Sequence, residues 1–267
     1  ALEPLAGGWR AQVDTADGAR RIDTPLLVGA DGTSSFVRAQ LGIDAERHDY
    51  RQTLFVCTVT PGRDHANRAF ERFADAGPIA LLPLAERRCG LVLTVAADEA
   101  AAVTALDDAT FIALAQQRFG WRLGRLSRPG RRHPYAIHRV AATQLVAPRA
   151  VLIGNAAQTV HPIGAQGFNL GLRDALTLAE LVAAQADPGD AGMLARYAAR
   201  RAPDREGTMA MSHGLVQLAC LPQPLLAPLR SLALLACDRL PPLQRALARR
   251  GMGFRGTPPR AVLERVP

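Results

Sequence analysis

Glycines and small polar residues are concentrated between residues 154 and 169, where their types and spacing could hold a cofactor. Gly154, Gly164 and Gly167 let a ligand approach the main chain closely, because glycine carries no Cβ. The amides that open a following helix would face that ligand with the positive end of the helix dipole. This segment therefore predicts a main-chain cradle for a flat or charged cofactor.

A strand and a helix are expected to position this cradle. Residues 150–153 form a short apolar run, which predicts a buried strand that ends at Gly154. The helix is expected to begin near Phe168 and to bury one apolar face. The apolar positions of that face are Leu172, Ala175, Leu176, Ala179, Val182 and Ala183. A strand, turn and helix that bind no ligand are the alternative interpretation.

A second segment, residues 26–38, shows the same order of strand, turn and helix earlier in the chain. It reads as a buried strand, a turn at Asp31-Gly32 and a helix start for which Ser34 and Ser35 are capping candidates. An Asp-Gly pair after a strand is by itself a common turn. Its value lies in its position, more than a hundred residues before the Gly154 turn.

The later segment resembles the FAD-dependent aromatic hydroxylases, and within them the ubiquinone-biosynthesis branch. In that family a strand ends in Gly-Asp, two small residues and His-Pro follow, and a Gly-Gln-Gly-x-Asn loop lies along the flavin. The residues that match are Gly154, Ala156, Ala157, His161, Pro162, Gln166, Gly167 and Asn169. Two positions depart from the family: its usual Asp is Asn155 here, and the first glycine of its loop is Ala165, with Gly164 one place earlier.

The earlier segment resembles the family's Asp-Gly motif, in which the Asp meets the linker region of FAD and a later Arg helps to dock cofactor or nicotinamide. Asn155 and Asp31 are the best candidate contacts, although Asn155 is a weaker acceptor than a carboxylate. His161 is interpreted as a residue that shapes the loop, and no catalytic residue is assigned. The resemblance implies cofactor contacts at Asp31, Gly32, Arg38, Gly154, Asn155, Pro162, Gly164, Ala165, Gln166, Gly167, Phe168 and Asn169.

The resemblance also implies an activity. The family member would be an FAD-dependent monooxygenase that hydroxylates a polyprenylated phenol in ubiquinone biosynthesis. NAD(P)H would reduce the flavin, and O₂ would form a flavin C4a-hydroperoxide that the electron-rich ring attacks. Two alternatives stay open: a related flavoprotein oxidase or reductase, and a non-catalytic scaffold in a ubiquinone-biosynthesis complex.

The glycine-rich βαβ unit with which dinucleotide-binding folds of this type begin does not precede Asp31. Residues 1–30 instead predict a hairpin that turns near Asp17-Gly18. A Gly-x-Gly-x-x-Gly match at 251–256 runs into Thr-Pro-Pro, so no helix can open there. We therefore expect the chain to be the C-terminal part of a longer enzyme, inactive by itself and a poor binder of FAD.

The predicted fold class is α+β or α/β, and three parts are expected. A partial FAD-binding domain comprises residues 1–45 and 145–200, and a mixed β-sheet for substrate binding comprises residues 46–144, where β-rich runs alternate with turns. A helical region comprises residues 201–267. The middle part resembles the family's substrate sheet.

Charge is concentrated near the end of the chain. From residue 188 onward there are twelve arginines and five acidic residues, so this region carries +7 of the formal net charge of +8. Prolines and an arginine interrupt the apolar runs there, which disfavours a membrane span. The region is interpreted either as a helical tail packed on the enzyme or as a surface for anionic lipid. An aromatic content of 5% disfavours nucleic acid, and four scattered cysteines favour reduced thiols in a cytoplasmic protein without a metal site. Docking to anionic lipid would place the protein at the periphery of the inner membrane.

Overall fold

The computed structural model describes residues 1–73, 77–219, 227–254 and 256–263. The chain divides into two compact units. The first comprises residues 1–48, 139–213 and 236–267, and the second comprises residues 49–138 and 214–235.

The first unit contains two small sheets. One is an antiparallel sheet of β1 (Leu2–Leu5), β2 (Gly8–Thr15) and β3 (Gly18–Thr24). It confirms the predicted hairpin, because β2 and β3 pair through a turn in which Gly18 has a φ of 107°. The other has the order β10-β11-β4, with bounds β4 (Leu27–Gly29), β10 (Val146–Ala147) and β11 (Ala150–Leu152).

A six-stranded sheet has the order β12-β9-β5-β8-β7-β6. Its strands are β5 (Ala45–Val59), β6 (Phe70–Arg72), β7 (Ile79–Pro83), β8 (Cys89–Ala96), β9 (His133–Ala142) and β12 (Gln158–Thr159). Alternate residues of β5, beginning with Phe55, point into the core of the second unit. There they meet the helices α2 (Ala100–Ala105) and α3 (Asp108–Phe119), which places the β-rich core where the sequence predicts it.

The remaining helices are α1 (Phe36–Gln40), α4 (Gln166–Ala183), α5 (Ala191–Ala219), α6 (Ala227–Arg239), α7 (Pro241–Gly251) and α8 (Arg260–Leu263). The mixed α/β architecture agrees with the predicted fold class. Ser35 caps α1, since its Oγ accepts a hydrogen bond from the amide of Arg38 at 2.9 Å. Helix α5 runs without a break through residue 201.

The predicted apolar stripe of α4 is wrong in part. Leu172 is 46% exposed, and Ala179 and Ala183 are exposed as well. The helix buries a polar face instead, because its neighbour α5 presents charged side chains that pair with it. The buried residues of α4 are Gln166, Leu170, Arg173, Asp174, Thr177 and Leu178.

Two sequence expectations concern the end of the chain. Among the described residues, no helix combines the length and the hydropathy that crossing a bilayer requires. Pro222 and Pro224 lie outside the described residues, as does Arg255 within the 251–256 glycine pattern. Helix α7 ends at Gly251, and the next described helix begins only at Arg260.

Candidate cofactor site

The two glycine-bearing turns leave the same edge of one sheet. Strands β4 and β11 pair in parallel, so that Gly29 lies opposite Leu152. The amide of Ile153 donates to the carbonyl of Gly29 at 2.9 Å. Because parallel strands end at the same edge, the turns that carry Asp31 and Asn155 lie side by side. The spatial convergence expected from the sequence is therefore present.

Arg38 joins the two turns. Its side chain is buried, and its guanidinium donates to the carbonyl of Thr33 at 2.9 Å and to that of Ala156 at 2.8 Å. The hydroxyls of Thr33 and Thr159 add a second link at 2.9 Å. Arg38 thus positions the main chain on both sides of the site, and its predicted contact with a cofactor stays a prediction.

Asp31 is held as a carboxylate at the start of α1. It accepts hydrogen bonds from the hydroxyl of Ser35 and from the amide of Val37. Burial works against ionisation here, but these hydrogen bonds outweigh it and lower the pKa of Asp31 below its ordinary value. The residue is largely exposed, so its charge can face a ligand. Next to it, Gly32 has a φ of 88°, a conformation that favours glycine.

The second turn begins at Gly154, whose φ of 59° lies in the left-handed region. Helix α4 approaches it closely, since a Cβ on Gly171 would lie 3.1 Å from the Cα of Gly154. This close approach explains a glycine in the first turns of α4. The neighbouring Asn155 is exposed, which leaves its amide accessible to a ligand.

His161 shapes the loop that follows. It is fully buried, its Nδ1 accepts from the amide of Ile163 at 3.1 Å, and its carbonyl accepts from the hydroxyl of Ser212 at 3.0 Å. Burial lowers the pKa of His161 to about 4, so the imidazole is neutral at pH 7. These contacts support the interpretation of His161 as a structural residue of the loop. Pro162 beside it is exposed.

The loop enters α4 through two left-handed residues. Gly164 has a φ of 71° and Ala165 a φ of 50°, so the position where the family carries glycine keeps the glycine conformation here with alanine. Such a conformation costs a residue with a Cβ about 1–2 kcal/mol. At the start of α4, Gln166 is buried, while Phe168 is 79% exposed and Asn169 is also exposed.

The residues of this site fit the flavin cofactor that the resemblance implies. A Cβ built on Gly32, Gly154 or Gly164 would meet no described protein atom within 4 Å, so the main chain borders open space at all three. Gln166 donates its amide to the carbonyl of Gly164 at 3.0 Å, but its Oε1 is buried without a hydrogen-bond partner among the described residues. One carboxylate that accepts, carboxamides that accept and donate, and helix-start amides that donate suit the hydroxyl and carbonyl groups of FAD.

The sequence reasoning missed a buried charged network behind the second turn. Asp174 of α4 binds Arg201 of α5 at 2.7 Å, and Asp204 binds both Arg201 at 2.8 Å and Arg173 at 2.7 Å. All four side chains are at most 6% exposed. The sequence signal that could have revealed this network is the presence of opposite charges in the middle of both helices. Charged side chains are rarely buried unless they are paired, so opposite charges on two packed helices suggest ion pairs.

The model of the FAD binding domain family matches residues 7–212. The chain belongs to this family. It is similar to the ubiquinone hydroxylase UbiL of Rhodospirillum rubrum, with 41% identity over 232 residues that cover 85% of this chain and 54% of that protein. It is also similar to the ubiquinone hydroxylase UbiM of Neisseria meningitidis, with 34% identity over 235 residues, 85% of this chain and 50% of that protein.

The chain spans about half the length of these curated relatives. Among solved structures, p-nitrophenol 4-monooxygenase PnpA of Pseudomonas putida superposes with a TM-score of 0.78, covering 95% of this chain and 66% of that one. At 17% identity this likeness concerns the fold. The resemblance recognised in the sequence is therefore confirmed, while the role of each cofactor-binding residue stays a prediction.

Proposed function

We propose that this protein is an FAD-dependent monooxygenase that hydroxylates a polyprenylated phenol in ubiquinone biosynthesis. The observation that carries the proposal is the convergence of the Asp31 and Asn155 turns on one sheet edge, held together by Arg38. FAD, when bound and reduced by NAD(P)H, supplies the transfer of one oxygen atom from O₂ to an electron-rich ring. The protein positions the cofactor and the substrate, excludes water from the site and provides an electrostatic field.

Individual residues have distinct parts in holding the cofactor. The carboxylate of Asp31 accepts a hydrogen bond from a ligand hydroxyl, and the carboxamide of Asn155 can accept or donate a hydrogen bond. The amides at the start of α4, residues 166–169, stabilise negative charge that develops on the cofactor. Gly32, Gly154 and Gly164 keep the adjoining space clear of side chains.

The relatives support the substrate class. Two proteins of 41% and 34% identity are both named ubiquinone hydroxylases. The Gly-Asn-Ala-Ala-Gln-Thr run at residues 154–159 also resembles 2-octaprenyl-6-methoxyphenol hydroxylase. We assign substrate binding to residues 46–144, whose sheet and helices form a core of their own.

An oxygen-isotope experiment tests the activity. The complete product of the gene that encodes this chain is given FAD, NAD(P)H, ¹⁸O₂ and a prenylated phenol. We expect one ¹⁸O atom in the hydroxylated ring. NAD(P)H oxidation that yields only hydrogen peroxide would overturn the proposal in favour of an oxidase or reductase. Failure to bind flavin at all would favour the scaffold alternative. The replacement of the family's Asp by Asn155 is consistent with that alternative.

The proposal includes a membrane surface at the end of the chain. Residues 227–254 contain five arginines and a single acidic residue, Asp238. Helix α7 buries none of its residues, and Leu240, Leu243 and Leu247 are each 41–49% exposed. Leucines beside a net positive charge suit anionic lipid, where each basic residue near the surface contributes about 1 kcal/mol. We place the protein in the cytoplasm and at the inner membrane, where a prenylated substrate would reside.

Vesicle flotation tests this surface. Binding is expected to rise with the fraction of phosphatidylglycerol in phosphatidylcholine vesicles and to fall with salt. The double variant Leu243→Gln and Leu247→Gln should lose binding. The matched control, Val13→Gln with Ile22→Gln, replaces exposed apolar residues of the hairpin and should keep it. Binding that ignores lipid charge and salt would favour a packed helical tail.

A further inference from the structure

A buried carboxylate lies directly behind the turn that carries Asn155. Asp174 is 2% exposed, and its Oδ2 accepts from the amide of Gly154 at 3.0 Å and from the Nε2 of Gln158 at 2.7 Å. Gly154 opens the turn and Gln158 follows it in β12. One oxygen atom therefore holds the turn at both of its ends.

Helix α5 supports the same turn from behind. Arg201 donates to the Oδ1 of Asp174 at 2.7 Å, and the hydroxyl of Tyr197 donates to the carbonyl of Leu152 at 3.3 Å. Arg205 donates to the Oε1 of Gln158 at 3.0 Å. These three side chains lie four residues apart along α5. They contact β11 before the Asn155 turn, Asp174 behind it and β12 after it.

The turn needs such support because of its own sequence. Gly154 adopts its left-handed φ without strain, but glycine also reaches many other conformations at little cost. Asn155 is exposed, and its carbonyl accepts a hydrogen bond from the hydroxyl of Thr159 at 3.4 Å. The amide of Ala157 donates to the carbonyl of Gly154 at 3.1 Å inside the turn, and the hydrogen bonds from Asp174 and α5 fix the turn against the rest of the protein.

The acid at residue 174 is suited to this task in a way that an amide is not. All three of its partners are donors: the Gly154 amide, the Gln158 carboxamide and the Arg201 guanidinium. An ionised carboxylate accepts from all of them through its two oxygens, whereas a carboxamide has a single acceptor oxygen. Burial raises the pKa of Asp174, and the adjacent Arg201 opposes that rise. The Arg201 guanidinium, 2.7 Å from Oδ1, favours the ionised form of Asp174.

We propose that Asp174 is a positioning residue for the cofactor, which fixes the turn at residues 154–158 against α5 so that Asn155 is presented to the flavin. This inference rests on the proposed FAD site. It assigns flavin affinity to a residue that does not border the open space of the site.

A matched pair of variants separates positioning from general stability. Asp174→Asn and Asp204→Asn each remove one carboxylate from the same buried network, and both lie among donors, since Asp204 accepts from Arg173, Arg201 and Thr208. Only Asp174 touches Gly154. The two variants of the complete gene product should therefore lose similar stability in urea, while their effects on the turn should differ.

Two readouts are measured under conditions where both variants stay folded. Asp174→Asn should raise the dissociation constant for FAD at least tenfold and speed amide exchange in the peptide that contains Gly154. Asp204→Asn should leave the dissociation constant within about threefold of the parent protein and the exchange of that peptide unchanged. If Asp174→Asn does not fold, Asp174→Glu keeps the charge but displaces it, and it should weaken FAD binding in the same direction.

Equal effects of the two Asn variants on FAD affinity and exchange would overturn the inference, as would an Asp174 variant that behaves like the parent. Failure of the proposed function has a different signature, because the parent protein itself would then bind no FAD. Amide exchange at Gly154 in the absence of FAD would still report whether Asp174 fixes the turn.

Discussion

Replacing Arg38 by methionine tests whether the two turns depend on one buried cation. The guanidinium is 4% exposed and makes hydrogen bonds of 2.8 and 2.9 Å to carbonyls of Ala156 and Thr33. Each hydrogen bond from a charged donor contributes about 1.5–3 kcal/mol, and removing the buried charge returns part of that sum as relief of desolvation. We expect Arg38→Met to lower the free energy of unfolding by about 2–4 kcal/mol.

Urea denaturation measures this loss. With a slope of about 2 kcal/mol per molar urea, the midpoint should fall by about 1–2 M while the slope stays constant. Arg20→Met is the matched control, since Arg20 is an exposed arginine whose partner Asp17 is also exposed, and it should change stability by less than about 0.5 kcal/mol. A loss below about 1 kcal/mol for Arg38→Met, or one equal to that of the control, would refute the argument that this residue ties the turns together.

Three further substitutions probe the loop and the turn. Ala165→Gly relieves a left-handed alanine at a φ of 50°, so it should raise the free energy of unfolding in urea by about 0.5–1 kcal/mol, and a decrease would contradict the strain argument. Burial lowers the pKa of His161 from 6.5 to about 4, so stability present above pH 6.5 is lost as pH falls towards 4, by about 3 kcal/mol. His161→Asn keeps an acceptor for the amide of Ile163 without titrating, and its stability should fall less between pH 7 and 4 than that of the parent. Gly154→Ala should cost only about 1–2 kcal/mol of stability but should weaken FAD binding, because the methyl group enters the open space; unchanged binding would place the cofactor elsewhere.

Local features of the fold could be predicted from the sequence. The hairpin follows from alternating residues around Asp17-Gly18, and the cap of α1 follows from a serine before an apolar run. The adjacency of the two turns came from the order of two motifs in a known family. Parallel pairing of β4 and β11 gives that adjacency a physical basis, which neither segment reveals by itself.

The polar face of α4 could not be predicted by the same reasoning. Periodicity counts apolar side chains, and it cannot tell that Asp174 pairs with Arg201, 27 residues away on another helix. The role of Arg38 in linking the two turns could not be predicted for a similar reason, because its acceptor Ala156 is 118 residues away. Contacts of this kind depend on how distant segments fold together, and no local pattern encodes them.

Amide exchange of the complete gene product with and without FAD tests the central claim most directly. If both turns hold one cofactor, FAD should slow exchange in residues 29–38 and in residues 153–169 with the same dependence on concentration. The hairpin at residues 8–24 should exchange at the same rate in both samples. Protection confined to one turn, or protection of neither by bound FAD, would contradict a shared site.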